Sequence, residues 1–256
     1  MRAVAAGLSD IGKQRIHNED RFILLPEFNV FAVADGMGGH QAGEVASRMA
    51  ANAIAMYFRK GARERSVSDK LRAAVSHANT RIFARSDDSR KHRGMGTTIV
   101  AVAYDPSLAE LFIAHAGDSR CYRVRDGRMR QLTRDHSLVA DALLHHPDLS
   151  ERDLAYLPRN VITRALGVGP SVDLDFRTEH VELGDVYLLC SDGLHGLVSD
   201  EAIAAIIKGH ESLSDACAAL IKEANDKGGR DNITAVLVRI EDGEEPWSTR
   251  TPQSTG

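Results

Sequence analysis

Three stretches, Phe28–Ala34, Thr97–Tyr104 and Val186–Cys190, are apolar at almost every position. A strand with one wet face alternates polar and apolar residues, so uninterrupted runs of this length predict strands covered on both sides. Between them lie helical blocks. In Glu44–Arg59, Ala46, Met49, Ala50, Ala53, Ile54 and Tyr57 form one apolar face. In Ser68–Arg85, Leu71, Val75, Ala78 and Ile82 recur at steps of four and three. Ser199 is placed to cap a helix over Asp200–Lys208, and Ser212 or Ser214 one that runs through Ala224. "CYRVRDGRMRQL" predicts a hairpin turning at Asp126-Gly127, and "NITAVLVRI" a last strand. Strands that follow one another without helical crossovers imply antiparallel sheets with helices packed outside, an α+β arrangement.

The 256 residues suffice for a full core. A net charge of -4 with interspersed signs argues against a nucleic-acid binder, which needs a basic face. No apolar run reaches the ~20 residues of a membrane helix, and the N-terminus lacks the apolar segment of a signal peptide. Cys121, Cys190 and Cys217 each sit in an apolar segment without metal spacing, as buried thiols do in a reducing compartment. A cytoplasmic protein is the expectation. His136–Leu166 is polar and irregular, long for a compact domain and suited to a functional insert. Residues 241–256, "EDGEEPWSTRTPQSTG", carry no core pattern and are expected to be a disordered tail.

The acids fall at strand ends. Asp35 follows "FAVA", Asp118 follows "LFIAHAG", Asp192 follows "YLLCS", and Asp231 precedes "NITAVLV". In antiparallel sheets one strand starts where its neighbour ends, so the four could meet at one edge. Carboxylates at close range repel unless hard divalent cations such as Mg²⁺ or Mn²⁺ bind there. Taken singly, each Asp also suits a turn, and spacing alone leaves both readings open. "GMGGHQAGE" is neither a P-loop nor a dinucleotide fingerprint.

Eight motifs occur in order: "SDIGKQRIHNED", "VADGMGGHQAGEVAS", "GTTIVAV", "HAGDSR", "LTRDHS", "RNVITRALG", "LLCSDGL" and "GGRDNITAVLV". Together they strongly resemble the metal-dependent PP2C (PPM) family of protein serine/threonine phosphatases in its bacterial form, over about residues 3–240. The resemblance implies a four-layer αββα sandwich of two antiparallel sheets flanked by helix pairs. It implies one phosphatase domain over 1–240, with a variable flap at about 138–159 that influences substrate choice.

The resemblance also implies roles. Asp35 would bridge two Mn²⁺ or Mg²⁺ ions, Asp192 and Asp231 would complete the first ion's ligands, and the Gly36 carbonyl would serve the second. Glu19 and Asp20 would act through water, and Asp118 with Asp192 would hold a weaker third ion. Arg15 would clamp the substrate phosphate. The reaction would be hydrolysis of phosphoserine and phosphothreonine in proteins by a metal-activated bridging hydroxide, opposing a bacterial Ser/Thr kinase. Phosphorylated proteins, the kinases and their substrates, would be the partners of a monomer that needs neither nucleic acid nor membrane. Where many relatives carry a proposed acid histidine, this chain has Met37, which has no proton to give; water, His40 or His136 are the alternatives. Two other functions share the fold: a catalytically silent binding module, which would have lost metal acids, and a phosphatase of an anti-sigma antagonist.

Overall fold

The computed structural model describes residues 1–38, 42–60, 66–88, 93–158 and 160–243. Two antiparallel sheets form its centre. One contains β1 (Arg2–Asp10), β11 (Ile233–Glu241), β10 (Val186–Cys190), β7 (Arg120–Arg125) and β8 (Arg128–Gln131), in that order. The other runs β2 (Asp20–Leu25), β3 (Val30–Met37), β5 (Ile99–Asp105), β6 (Glu110–Ala116) and β9 (Asp175–His180), with β4 (Gly96–Thr97) beside β3. Helices α1 (Ala42–Lys60) and α2 (Val67–Asp87) cover the second sheet, and α6 (Asp200–Gly209) and α7 (Leu213–Asp226) cover the first. This is the expected four-layer αββα sandwich.

Side-chain size on alternate strand residues sets the layer spacing. On β3 and β5, Ala32, Ala34, Ala101 and Ala103 face α1 and α2. Phe31, Val33, Val100, Val102 and Tyr104 point the other way, toward Leu189, Val236 and Val238 of the facing sheet. Small outward residues let the helices sit close, and the larger inward ones fill the space between sheets. β11 alternates between the same two layers without the size difference, with Ile233, Ala235 and Leu237 toward α6 and α7 and Val236 and Val238 toward the other sheet. Both faces are therefore dry, which explains the continuous apolar runs. All three cysteines are free and buried, and burial pushes their thiols up, away from the reactive thiolate.

The predicted caps are present: the Ser199 and Ser212 hydroxyls accept from the Ala202 and Asp215 amides. Asp126 and Gly127 both have positive φ, 51° and 73°, as a two-residue hairpin turn requires. One expectation is corrected. The stretch after His136 is not irregular throughout, because α3 (Leu138–His145) and α4 (Glu151–Ala155) lie within it. Ser137 caps the first, and Ser150 and Asp153 form a capping box on the second. α3 has no buried residue, so no apolar stripe announced it. A four-residue helix, α5 (Asp192–His195), follows β10. β11 reaches Glu241, one residue into the expected tail, and residues 244–256 lie outside the described residues. No described helix is long and apolar enough to cross a membrane.

Leu237 is fully buried and Leu183 is 62% exposed. Leu237→Ala should lower unfolding free energy by ~2–5 kcal/mol, and Leu183→Ala by less than ~0.5 kcal/mol. Urea denaturation of the two variants checks this.

Candidate active site

The chain crosses between its sheets three times at one end of the sandwich, through the β1–β2, β6–β7 and β8–β9 connections. The β1–β2 connection carries Arg15 and Glu19, and the β6–β7 connection carries Asp118. At the same end, β2 begins at Asp20 directly opposite Asp35 of β3. Asp192 leaves the end of β10, and Asp231 precedes β11, the antiparallel neighbour of β10. Antiparallel register thus collects six acids from five separate stretches of sequence. Asp35 interacts electrostatically with Asp20, Asp192, Asp118 and Asp231.

Burial and mutual repulsion push these carboxyls up. Asp35 lies well above its ordinary value, because burial opposes its charge and four neighbouring aspartates add to the cost. Burial, then the charge of Asp192, raises Asp118 to about 7. Burial raises Asp20 to about 6, against hydrogen bonds from Thr234 and Ser191. Asp192 and Glu19 are raised, again chiefly by burial. The protein supplies little compensating charge. Among the described residues, the one guanidinium bonded to these acids is that of half-exposed Arg15, 2.6 Å from Asp231 Oδ2.

The oxygens present fit hard divalent cations. Asp20 Oδ1 and Asp192 Oδ1 are buried without a hydrogen-bond partner. Both Asp20 Oδ2 contacts, from Ser191 Oγ and Thr234 Oγ1, are 2.7 Å long and fix the carboxylate with its other oxygen open. At Gly36 a Cβ would stand 2.2 Å from the Gly43 carbonyl oxygen and 2.7 Å from that of Glu19. At Gly43 it would stand 2.7 Å from Glu19 Oε2. Two glycines therefore let backbone carbonyls and the Glu19 carboxylate gather in a space that any side chain would fill. A set of carboxylates and carbonyls without nitrogen or sulfur is what Mg²⁺ and Mn²⁺ select.

Neutral groups that carried no signal in the sequence hold the acids in place. Thr98 Oγ1 accepts from the Asp35 amide at 3.0 Å and meets Ser119 Oγ at 2.7 Å. His195 Nε2 donates to the Asp118 carbonyl at 3.0 Å, and burial lowers this imidazole to about 4, so it stays neutral. Asn232 accepts from the Glu19 amide and donates to the Ile11 and His17 carbonyls, fastening the loop that carries Arg15. Asn232 lies in "GGRDNITAVLV", Thr98 in "GTTIVAV" and Ser119 in "HAGDSR", so the motifs contain them without marking their hydrogen bonds, while His195 lies outside every motif. Met37 ends β3 and lines a cavity with Ile162, Arg164 and Val168. His136 is fully buried behind Gly117. His40 lies outside the described residues.

The raised carboxyls fix the sign of a pH effect. A carboxyl at about 7 when folded and 3.8 when unfolded keeps its proton longer in the folded state. The contribution of Asp118 to the stability of the metal-free protein is therefore full below 3.8 and is lost as pH rises from there through about 7. Asp20 acts in the same direction, its contribution lost between 3.8 and about 6. Thermal denaturation in EDTA should show the midpoint falling across this window. Added Mn²⁺ should reverse the fall, with its largest gain at the alkaline end. A flat profile, or an equal gain at every pH, would contradict the assignment.

Residues 5–141 match the family profile described as Protein phosphatase 2C. The serine/threonine phosphatase stp of Listeria welshimeri is 38% identical over 237 residues, covering 90% of this chain and 93% of the relative. The crystal structure of the Mycobacterium tuberculosis serine/threonine phosphatase PstP/Ppp superposes with a TM-score of 0.85 at 34% identity, over 94% of this chain and all of that one. The catalytic domain of PstP in complex with two manganese ions gives 0.83 at 34% identity, over 94% of this chain and 99% of its own. With its sandwich, its ordered motifs and its carboxylate cluster, this chain belongs to the protein phosphatase 2C family of serine/threonine phosphatases.

Proposed function

We propose that Asp35, Asp192, Asp231 and the Gly36 carbonyl hold two divalent cations, Mn²⁺ or Mg²⁺, with Glu19 and Asp20 acting through water. We further assign Asp118, with Asp192, to a weaker third ion. The observation that carries this reading is the pair Asp20 and Asp35. The buried Asp20 carboxylate stands directly opposite that of the partly buried Asp35 across β2 and β3, a placement that costs stability unless cations neutralise it. When bound, such ions lower the pKa of water and neutralise charge on phosphoryl oxygens.

The chain's own residues do the rest. Arg15 is half-exposed at the edge of the cluster, and its planar fork suits two phosphoryl oxygens of a phosphoserine or phosphothreonine. Asp231 holds the guanidinium beside the acids before substrate arrives, so little side-chain ordering remains to be done on binding. Thr98, His195 and Asn232 fix the backbones of Asp35, Asp118 and Glu19, so the carboxylates do not drift apart under their own repulsion. Met37 cannot protonate the leaving seryl or threonyl oxygen, and we assign that proton to water.

The substrates are phosphorylated proteins, and a bacterial Ser/Thr kinase is the enzyme this activity would oppose. Three buried free thiols support a reducing, cytoplasmic setting.

Hydrolysis of a phosphothreonine peptide with Mn²⁺ tests the reading. Activity should vanish in EDTA and in Asp192→Asn, and kcat/KM should fall ~10²–10³-fold in Arg15→Ala. Folded protein that is inactive with Mn²⁺ would favour a silent binding module, and activity that survives EDTA would exclude the metal reading.

A further inference from the structure

Behind the carboxylate cluster lies a second group of titratable side chains, His115, His136 and Asp175, whose potential ligand atoms lie within 4.8 Å of one another. A cation site is the first thought, and the hydrogen bonds argue against it. A ligating histidine donates its other ring N–H to a neighbouring acceptor. His115 could do this, since its Nε2 donates to the Arg134 carbonyl at 2.8 Å. His136 does the reverse. Its Nδ1 receives the Gly117 amide N–H at 3.2 Å, so Nδ1 carries no proton and Nε2 does. A protonated Nε2 has no lone pair for a metal. It faces Asp175 Oδ2 at 3.3 Å and the Arg164 guanidinium at 3.4 Å; with Nδ1 already taken by the Gly117 N–H, the Nε2–H goes to the nearer Asp175 oxygen, since a guanidinium accepts no hydrogen bond. The two imidazoles stack with centroids 4.5 Å apart and planes 10° apart, so their in-plane lone pairs do not meet at one point. The Arg164 guanidinium, 2.9 Å from Asp175 Oδ1, already supplies positive charge.

What His136 touches gives it another task. Its own amide donates to the Gly117 carbonyl at 2.9 Å, so one residue satisfies both backbone groups of Gly117. Gly117 needs such a holder. It has φ +113°, where L side chains are rare, and a Cβ there would stand 2.6 Å from Thr98. It is also the residue after the end of β6 and immediately before Asp118. On its other side, the His136 carbonyl accepts from the Thr163 amide at 2.9 Å, and Ser137 bridges Ile162. His136 therefore joins the turn that delivers Asp118 to the root of the inserted segment. The ring is wholly buried, and burial lowers its proton affinity despite Asp175, so it stays neutral and keeps the Nδ1 lone pair.

We propose that His136 is a positioning residue for the phosphatase reaction: Asp175 holds it as the Nε2–H tautomer, and its Nδ1 fixes the Gly117 amide and so keeps Asp118 turned into the carboxylate cluster. Its reach to the reaction rests on Asp118 being an ion ligand; the tautomer and the Gly117 clamp do not. Asp175 is a partner in this device, and Arg164 holds Asp175 in turn.

The two halves of an imidazole can be replaced separately. Asn reproduces an acceptor at the Nδ1 position, and Gln a donor at the Nε2 position. Long-range ¹⁵N–¹H spectra of the wild-type protein should show His136 as the Nε2–H tautomer, and hydrogen exchange should show a protected Gly117 amide. In His136→Asn that protection should persist. In His136→Gln it should be lost, and the Mn²⁺ concentration for half-maximal phosphopeptide hydrolysis should rise about tenfold, with peptide KM unchanged. The Asn variant should restore the wild-type Mn²⁺ requirement. An Nδ1–H tautomer would overturn the proposal, as would Asn and Gln variants that behave alike, because a residue that only fills space would not separate them. If the wild-type protein showed no metal-dependent hydrolysis, the functional reading would fail, while the spectra and exchange would still decide the role of His136 at Gly117.

Discussion

A buried and a partly buried carboxylate facing each other across one pair of strands set the terms for this whole end of the molecule. Asp20 and Asp35 occupy a cross-strand pair position whose same-face neighbours along the two strands, Phe22–Val33 and Leu24–Phe31, are apolar. In an ordinary sheet such a pair would be replaced by Val or Thr at no loss. Here the pair is surrounded by three further acids rather than by lysines or arginines, so repulsion is concentrated instead of relieved. The sandwich tolerates this because both sheets are dry on both faces and their cores are continuous up to the level of Ala34, Leu189 and Ala235. Stability made elsewhere holds the acids together until cations arrive.

That division explains the chemistry of the residues around the cluster. The supports of the acids are hydroxyls, an amide and neutral imidazoles, not countercharges. A lysine in place of Thr98 or Asn232 would neutralise a carboxylate and compete with the cation for it. Neutral donors and acceptors fix backbone positions and leave the carboxylate oxygens open. The exception is Arg15, held at the solvent edge on Oδ2 of Asp231, itself an assigned ion ligand, where a guanidinium can meet a phosphate.

Much of the fold was legible because both faces of the central strands are buried. β10 matches its predicted span, and β3 and β5 and the helices α1, α2, α6 and α7 are displaced by only a few residues. Of the edge strands, β8 was legible through its hairpin turn, while β1 and β9 were not. β1, "RAVAAGLSD", is rich in Ala, and β9, "DFRTEH", is mostly polar, because each borders only one neighbour and plays a smaller part in the core. α3 and α4 escaped because periodicity needs a buried stripe, although Ser137 and Ser150 mark their starts. At the site, Asp35, Asp118, Asp192 and Asp231 stood out by ending or preceding strands, and Asp20 and Glu19 through their motif. Thr98, His195 and the clamp on Gly117 did not stand out, since a hydrogen bond between residues far apart in sequence leaves no spacing to read.

The central claim is that the carboxylates converge for cations and hold protons in their absence. Titration calorimetry of the metal-free protein with Mn²⁺, repeated near neutral pH in two buffers of different ionisation enthalpy, tests it most directly. The account predicts at least two bound ions and a net release of protons, because Asp118 stands at about 7 and Asp35 is raised well above the carboxylate range until a cation displaces the proton. Binding without proton release would show that the acids are already ionised and apart, and no binding at all would remove the cation from the account.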